Sequence, residues 1–262
     1  MAAPRWILDL HSDFPGSAVV LARLSERGRD AIVLERSAVS RGDWPTLDGP
    51  LVGYGTMFTM SRLGRHTTLG RAVFDDYPRL RCTSYYPLVY DLLGRTTFVA
   101  PFAALRTMPL ARMLGERVFV RSDSNYKLFP AAVLDASEVA SWVDRYREHH
   151  RELAVVSEVV AMDVEYRCYF RDKRFVCGSS YPTEPYRGVP DEVRAFAAIA
   201  AARLAEAGIT MATIDVAAGD GVLRLVEAGG VNSWGIYGSS VDAFIDAMEA
   251  EAIERFEDGD PR

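Results

Sequence analysis

The stretch Thr213-Ile214-Asp215-Val216 through Val222-Leu223-Arg224-Leu225-Val226-Glu227-Ala228-Gly229-Gly230-Val231-Asn232-Ser233-Trp234-Gly235 constrains this chain more than any other. Two apolar-rich runs flank Asp220-Gly221, a dipeptide that readily adopts the left-handed turn of a tight hairpin, so two antiparallel strands are expected. Alternation turns Asp215 away from Ile214 and Val216, and gives Glu227 the face of Leu223 and Leu225. Each strand thus carries a carboxylate, and the amide of Asn232 lies just beyond. Such an all-oxygen set suits Mg2+, which completes its shell with water and substrate phosphates. The two acids read equally well as solvated charges on a hairpin surface.

The rest of the chain bounds what such a hairpin serves. At 262 residues there is room for one large domain or two modest ones. Apolar residues at 49% and charged residues at 25% match an ordinary globular protein and exclude a disordered one. A net charge of −6 argues against a nucleic-acid-binding surface. Asp9, His11 and Asp13 interrupt the first apolar run where a secretion signal needs continuity. No stretch approaches the roughly 20 apolar residues of a membrane-spanning helix. A cytoplasmic protein is expected, without membrane or nucleic-acid partners. Cys82, Cys168 and Cys177 lack metal-ligand spacing; a Cys168–Cys177 bridge is geometrically conceivable, and buried free thiols are the expectation in a reducing compartment.

In chain order, Trp6–Leu10 reads as a buried strand, Pro15-Gly16 opens a helix that stops at Gly28, and Ala31–Glu35 is a second strand. That is a βαβ unit and implies a parallel sheet. Leu51–Gly55 adds another strand. From Arg62 to Pro109 periodicity is poor but aromatics are dense, and Thr107–Glu116, with Pro109 and Gly115, marks the expected domain boundary. Arg117–Arg121 is a strand followed by a polar loop. Asp135 and Glu138 resemble a capping box before a helix with Val139, Trp142, Val143 and Tyr146 on its apolar face. Strands follow over 154–160, 164–170 and 175–181. A helix spans Pro190–Ala207, and a last one, Ser240–Glu254, carries Val241, Phe244, Ile245 and Met248 on one face. The whole reads as mixed, α+β joined to α/β.

Several polar residues interrupt this pattern in ways that suit a nucleotide. Arg121 and Lys127 flank the polar loop, and two fixed cations there could hold triphosphate oxygens, the planar fork of Arg differing from the point charge of Lys. A surface Arg and a surface Lys are the plainer reading. Glu158 breaks an apolar strand and needs a donor if buried; an adenine amino group or a ribose hydroxyl would serve. Alternation groups Glu165, Arg167 and Tyr169 on one strand face, which fits either an ion pair or a site. Glycines at 229, 230, 235 and 238 would let backbone N–H groups approach an anion, or simply make tight turns. His11 and His66 have no triad partners at readable spacing, and neither a nucleophile elbow nor a P-loop motif occurs.

In this order Arg121 and Lys127, Glu158, Glu165-Tyr166-Arg167, Asp215, then Glu227 and Asn232 resemble the ATP-grasp superfamily. The likeness is greatest to the small single-chain members in which an arginine replaces one phosphate-binding lysine. It implies an ATP-grasp fold, two α+β subdomains clasping ATP over 111–262, preceded by a small pre-ATP-grasp α/β domain over 1–110. It also implies that Glu158, Val159 and Val160 contact adenine, that Glu165 takes the ribose hydroxyls, and that Arg121 and Lys127 bind phosphates. Asp215, Glu227 and Asn232 would hold Mg2+, and Arg167 would be catalytic, facing the γ-phosphate or an acyl-phosphate. The family commonly has Glu-x-Asn, whereas Glu227 and Asn232 are separated here across Gly229-Gly230. Either a loop keeps Asn232 at the metal or it lies elsewhere.

The activity implied is ATP- and Mg2+-dependent ligation of a small carboxylate to an amine, an amino acid or short peptide, through an acyl-phosphate with release of ADP. A non-catalytic nucleotide-binding module and an ATP-grasp kinase are the alternatives. A homodimer is among the assemblies open to it.

Overall fold

The first sheet follows from a run of apolar residues with no polar face. In the computed structural model, which describes residues 3–259, β1 (Arg5–Asp9) lies between β2 (Ala31–Leu34) and β3 (Leu51–Tyr54), all parallel. Trp6, Ile7 and Leu8 are fully buried, as expected of a central parallel strand covered on both faces. The helix Gly16–Glu26 makes the crossover between β1 and β2, burying Val20 and Leu24, and ends before Gly28 in the left-handed region. The expected βαβ unit is therefore present.

The second sheet has β4 (Thr97–Pro101), β5 (Arg117–Ser122), β6 (Ala132–Asp135) and β7 (Leu153–Glu158), in the order β4-β7-β5-β6 and antiparallel throughout. The third holds β8 (Val164–Arg171), β9 (Arg174–Tyr181), β10 (Met211–Gly219) and β11 (Val222–Gly229), in the order β11-β10-β8-β9. Asp220 and Gly221, both at positive φ, turn β10 into β11. Two consecutive left-handed residues make the turn whose twist matches a hairpin. The helices Asp191–Glu206 and Val241–Glu257 stand close to where the periodicity put them. Ser240 caps the latter, its hydroxyl accepting the Ala243 N–H.

Two local readings differ. The aromatic segment before residue 110 contains the helix Cys82–Val89, whose periodicity is hidden by its length and by Pro87 within it. The capping box does not form: the helix Val139–Arg145 follows Glu138 with no side-chain cap. The cysteines agree with expectation: all three are buried and none forms a disulfide, and burial pushes the Cys177 thiol up to about 12. Among the described residues no helix is long and apolar enough to cross a membrane.

The chain folds as two compact units. One takes in the chain up to Asp75, Tyr166–Ile214 and the chain from Gly229 onward; the other takes in Asp76–Glu165 and Asp215–Ala228. The second unit is centred on Phe102, stacked on Phe129 at 4.3 Å with Trp142 edge-on to both. The first is centred on Phe244, whose ring meets Tyr54 at 5.0 Å, Tyr169 at 5.3 Å and Trp6 at 6.5 Å. Phe244→Ala should therefore cost about 3–5 kcal/mol and Phe244→Leu markedly less, because only the former leaves a ring-sized cavity. Urea denaturation of the two variants measures this difference.

Candidate nucleotide and metal site

The second unit holds most of the charged residues singled out by the sequence. Arg121, near the end of β5, is 7% exposed, and its guanidinium lies 2.6 Å from Glu227 Oε2 on β11. Alternation along β5 puts Arg121 on the face of Phe119, yet the deeply buried face is that of Val118 and Val120. Arg121 is buried instead by its own surroundings, which include Glu227, Cys82, Tyr86 and Tyr85. Burial alone would depress its pKa, but the Glu227 carboxylate keeps it well above the ordinary guanidinium value. The cation is permanent.

The backbone around Glu227 is clamped. Arg95 donates to the carbonyls of Leu225 at 2.8 Å and Val226 at 3.2 Å. The Ala228 N–H donates to the Tyr85 hydroxyl at 3.1 Å, and Asn125 Nδ2 donates to the Ala228 carbonyl at 3.4 Å. Asp215, on β10, is fully buried. None of Arg95, Tyr85 and Asn125 was anticipated. Their only sequence signal is that Asn125 ends the Ser-Asp-Ser-Asn loop between Arg121 and Lys127.

That loop is buried rather than solvated. Ser122, Asp123, Ser124 and Asn125 are all under 9% exposed. Buried loop backbone needs partners, and short side chains supply them: Ser122 Oγ accepts the Ser124 N–H and Ser124 Oγ accepts the Tyr126 N–H, both at 3.2 Å. Asp123 takes the Thr83 N–H at 2.7 Å and pairs with Arg81 at 2.8 Å. Lys127, exposed, closes the loop in the left-handed region with its N–H on the Ser124 carbonyl.

Glu158 ends β7 half-buried, opposite Val118. The donor it required is the Thr96 backbone N–H, 2.7 Å from its Oε1. Val159 is exposed, Val160 and Glu165 are half-buried, and Glu165 lies near the start of β8.

The first unit holds Arg167 and Asn232. Arg167 is 6% exposed and lies among aromatic rings: its guanidinium carbon is 4.6 Å from the ring centres of Tyr181 and Trp234 and 5.3 Å from Tyr237. Such contacts hold a guanidinium in place without neutralising it. Trp234 is fixed in turn, its carbonyl accepting the hydroxyls of Tyr54 and Tyr169 at 2.9 Å each.

Asn232 is fully buried and committed elsewhere. Its Oδ1 accepts the N–H groups of Phe74 at 2.6 Å and Asp75 at 3.2 Å, and its Nδ2 donates to the carbonyls of Gly53 and Ala72 at 2.6 and 3.1 Å. Both oxygen lone pairs are thereby used. Asp75 returns the contact by accepting the Val231 and Asn232 N–H groups at 2.5 and 3.1 Å. Gly230 is required here, since a Cβ would coincide with the Asp75 carboxylate. Asn232 is thus a knot in the first unit, with no oxygen left for a metal ion.

Among the described residues no three His, Cys, Asp or Glu side chains converge as a metal cage. Two carboxylates, Asp215 and Glu227, remain as candidates. That donor set suits Mg2+, which is held by one or two carboxylates plus substrate phosphates, and is too sparse for an all-protein Ca2+ or Zn2+ site.

The family model of an ATP-grasp domain, the second family of the arginine-for-lysine clade, matches residues 92–247 of the chain. Solved structures share the architecture over nearly full length. D-cycloserine synthetase DcsG aligns with a TM-score of 0.67 at 16% identity, covering 96% of this chain and 99% of that one. The ATP-grasp ligase PsnB, complexed with a minimal precursor, gives 0.60 at 15% identity, with 95% and 100% covered. D-alanine–D-alanine ligase from Bacillus anthracis, complexed with ATP, gives 0.59 at 11%, with 98% and 100% covered. At these identities the likeness is one of fold. No curated protein matches the chain.

Removing the Asn232 carboxamide strands two buried N–H groups and two carbonyls, each worth about 1–3 kcal/mol. Asn232→Ala should accordingly lower the urea midpoint by an amount equivalent to at least about 3 kcal/mol, whether or not Mg2+ is present. A loss that appeared only with Mg2+ would assign Asn232 to the metal instead.

Proposed function

Because the chain belongs to the ATP-grasp domain family, in the second family of its arginine-for-lysine clade, we propose that it is an ATP- and Mg2+-dependent carboxylate–amine ligase that forms a C–N bond and releases ADP. The observation that carries this reading is the buried Arg121–Glu227 pair with Asp215 in the same unit. A fixed cation paired with one acid, with a second buried acid in the same unit, suits a polyphosphate and its counter-ion. The relatives' own ligands support it: PsnB has been solved with a precursor variant, Mg and ADP.

In this scheme a substrate carboxylate oxygen attacks the γ-phosphorus, the bond to the β,γ-bridging oxygen breaks, and ADP leaves. The resulting acyl-phosphate is attacked at carbon by an amine, which loses a proton as inorganic phosphate departs. Arg121 and Lys127 hold phosphate oxygens, Glu158 with the Val159 and Val160 backbone receives adenine, and Glu165 receives the ribose. Arg167 neutralises charge on the phosphoryl group in transfer. Asp215 and Glu227 hold Mg2+, which when bound offsets charge on the phosphates. No protein nucleophile is needed; positioning and fixed charge supply the catalysis. Amino acids or short peptides are the proposed substrates, in a cytoplasmic setting where ATP and Mg2+ are plentiful.

The test is ADP release with a mixture of amino acids and short peptides, with mass spectrometry of the products. Wild type should yield ATP-dependent condensation products. Asp215→Asn and Glu227→Gln should each lower Mg2+-dependent ADP release by about 100-fold or more. Variants as active as wild type would overturn the metal assignment. ADP release with a phosphorylated product and no amide would favour a kinase. Nucleotide-induced thermal stabilisation without turnover would favour a binding module, a reading that draws on the commitment of Asn232 within its own unit.

A further inference from the structure

The side chain of Asn125 is half-used. It is 2% exposed, and its Nδ2 donates to the Ala228 carbonyl at 3.4 Å, while its Oδ1 has no hydrogen-bond partner. Turning the amide over does not relieve this, because Oδ1 would then face the Ala228 carbonyl, acceptor against acceptor. The bond to Ala228 therefore fixes the direction of the oxygen. A buried acceptor without a donor is costly and calls for an occupant.

The surroundings indicate what kind. Ala228 directly follows Glu227 on β11, and Arg121, the partner of Glu227, lies on the strand that leads into the loop bearing Asn125. Asp123 in that loop is already taken by Arg81 and Thr83. Other orphaned oxygens of the same unit, the hydroxyls of Tyr86 and Ser157, can turn their protons to suit a neighbour; a carboxamide oxygen only accepts. An acceptor-only oxygen whose own amide is tied to the residue after Glu227 suits a hard cation better than a neutral donor.

We propose that Asn125 Oδ1 is a protein ligand of the divalent cation held by Asp215 and Glu227, supplying the neutral oxygen that Asn232 does not. This rests on the ligase reading's metal assignment and extends it to a residue on a different loop. The bond to the Ala228 carbonyl then has a purpose: it ties the orientation of the ligand oxygen to the strand that carries Glu227. Nucleotide phosphates and water would complete the shell.

The experiment is Mn2+ titration of the full chain in the presence of ADP, with free Mn2+ read by electron paramagnetic resonance. Asn125→Ala should weaken Mn2+ binding by about tenfold or more. Asn125→Asp keeps an oxygen but removes the donor to Ala228, and should bind more weakly than wild type yet more tightly than Asn125→Ala. Circular dichroism of each variant reports the fold. If Asn125→Ala binds as wild type while Glu227→Gln is weakened, the inference fails and the metal assignment stands. If Asn125→Asp is as weak as Asn125→Ala, the residue acts through Ala228 alone and the inference fails again. Should Glu227→Gln and Asp215→Asn also bind as wild type, or wild type not bind, the underlying metal assignment fails with it.

Discussion

The second unit is built around a charge pair largely withdrawn from water. Arg121 and Glu227 meet at 2.6 Å with side chains 9% and 12% exposed. Desolvating both costs several kcal/mol, so such a pair adds little net stability over an apolar substitute. What it provides is a cation that stays charged at a fixed place, and a carboxylate held next to it. Arg95, Tyr85 and Asn125 pin the Glu227 backbone from three sides. What the pair secures is geometry rather than stability.

An arginine of the first unit is set among aromatic rings. Arg167 has its guanidinium faced by Tyr181, Trp234 and Tyr237. Aromatic faces attract a cation without cancelling its charge. The segment after β11 serves both as the wall of that arrangement, through Trp234, and as an anchor, through Asn232 and its bonds to residues 53, 72, 74 and 75. Gly230 is the joint that makes this possible, because any side chain there would collide with Asp75.

Much of the fold was legible because it is local. Asp220-Gly221 announces its turn through the two positive φ values it requires, and Phe244, Ile245 and Met248 announce a buried helix face by spacing alone. Where short elements carry too few residues for a period, the reading fails. The helix Cys82–Val89, with Pro87 inside, is such a case, and so is the unformed cap before Val139. The loop 122–125 is polar in composition yet buried, since serine and aspartate can satisfy backbone from within as well as face water.

By itself the sequence determined the residue types and the faces: an arginine on one strand, acids on a hairpin, an arginine among the alternating residues of β8, and the order of these that marks an ATP-grasp chain. Periodicity states which side of an element a residue occupies but not what stands opposite. Only the tertiary structure decided that Arg121 meets Glu227, that the Glu158 carboxylate takes the Thr96 N–H, and that Asn232 spends its amide on the first unit while Asn125 leaves an oxygen unspent. Those are long-range pairings. They are set by strand order and by the requirement that every buried polar group find a partner, conditions that no local stretch of sequence contains.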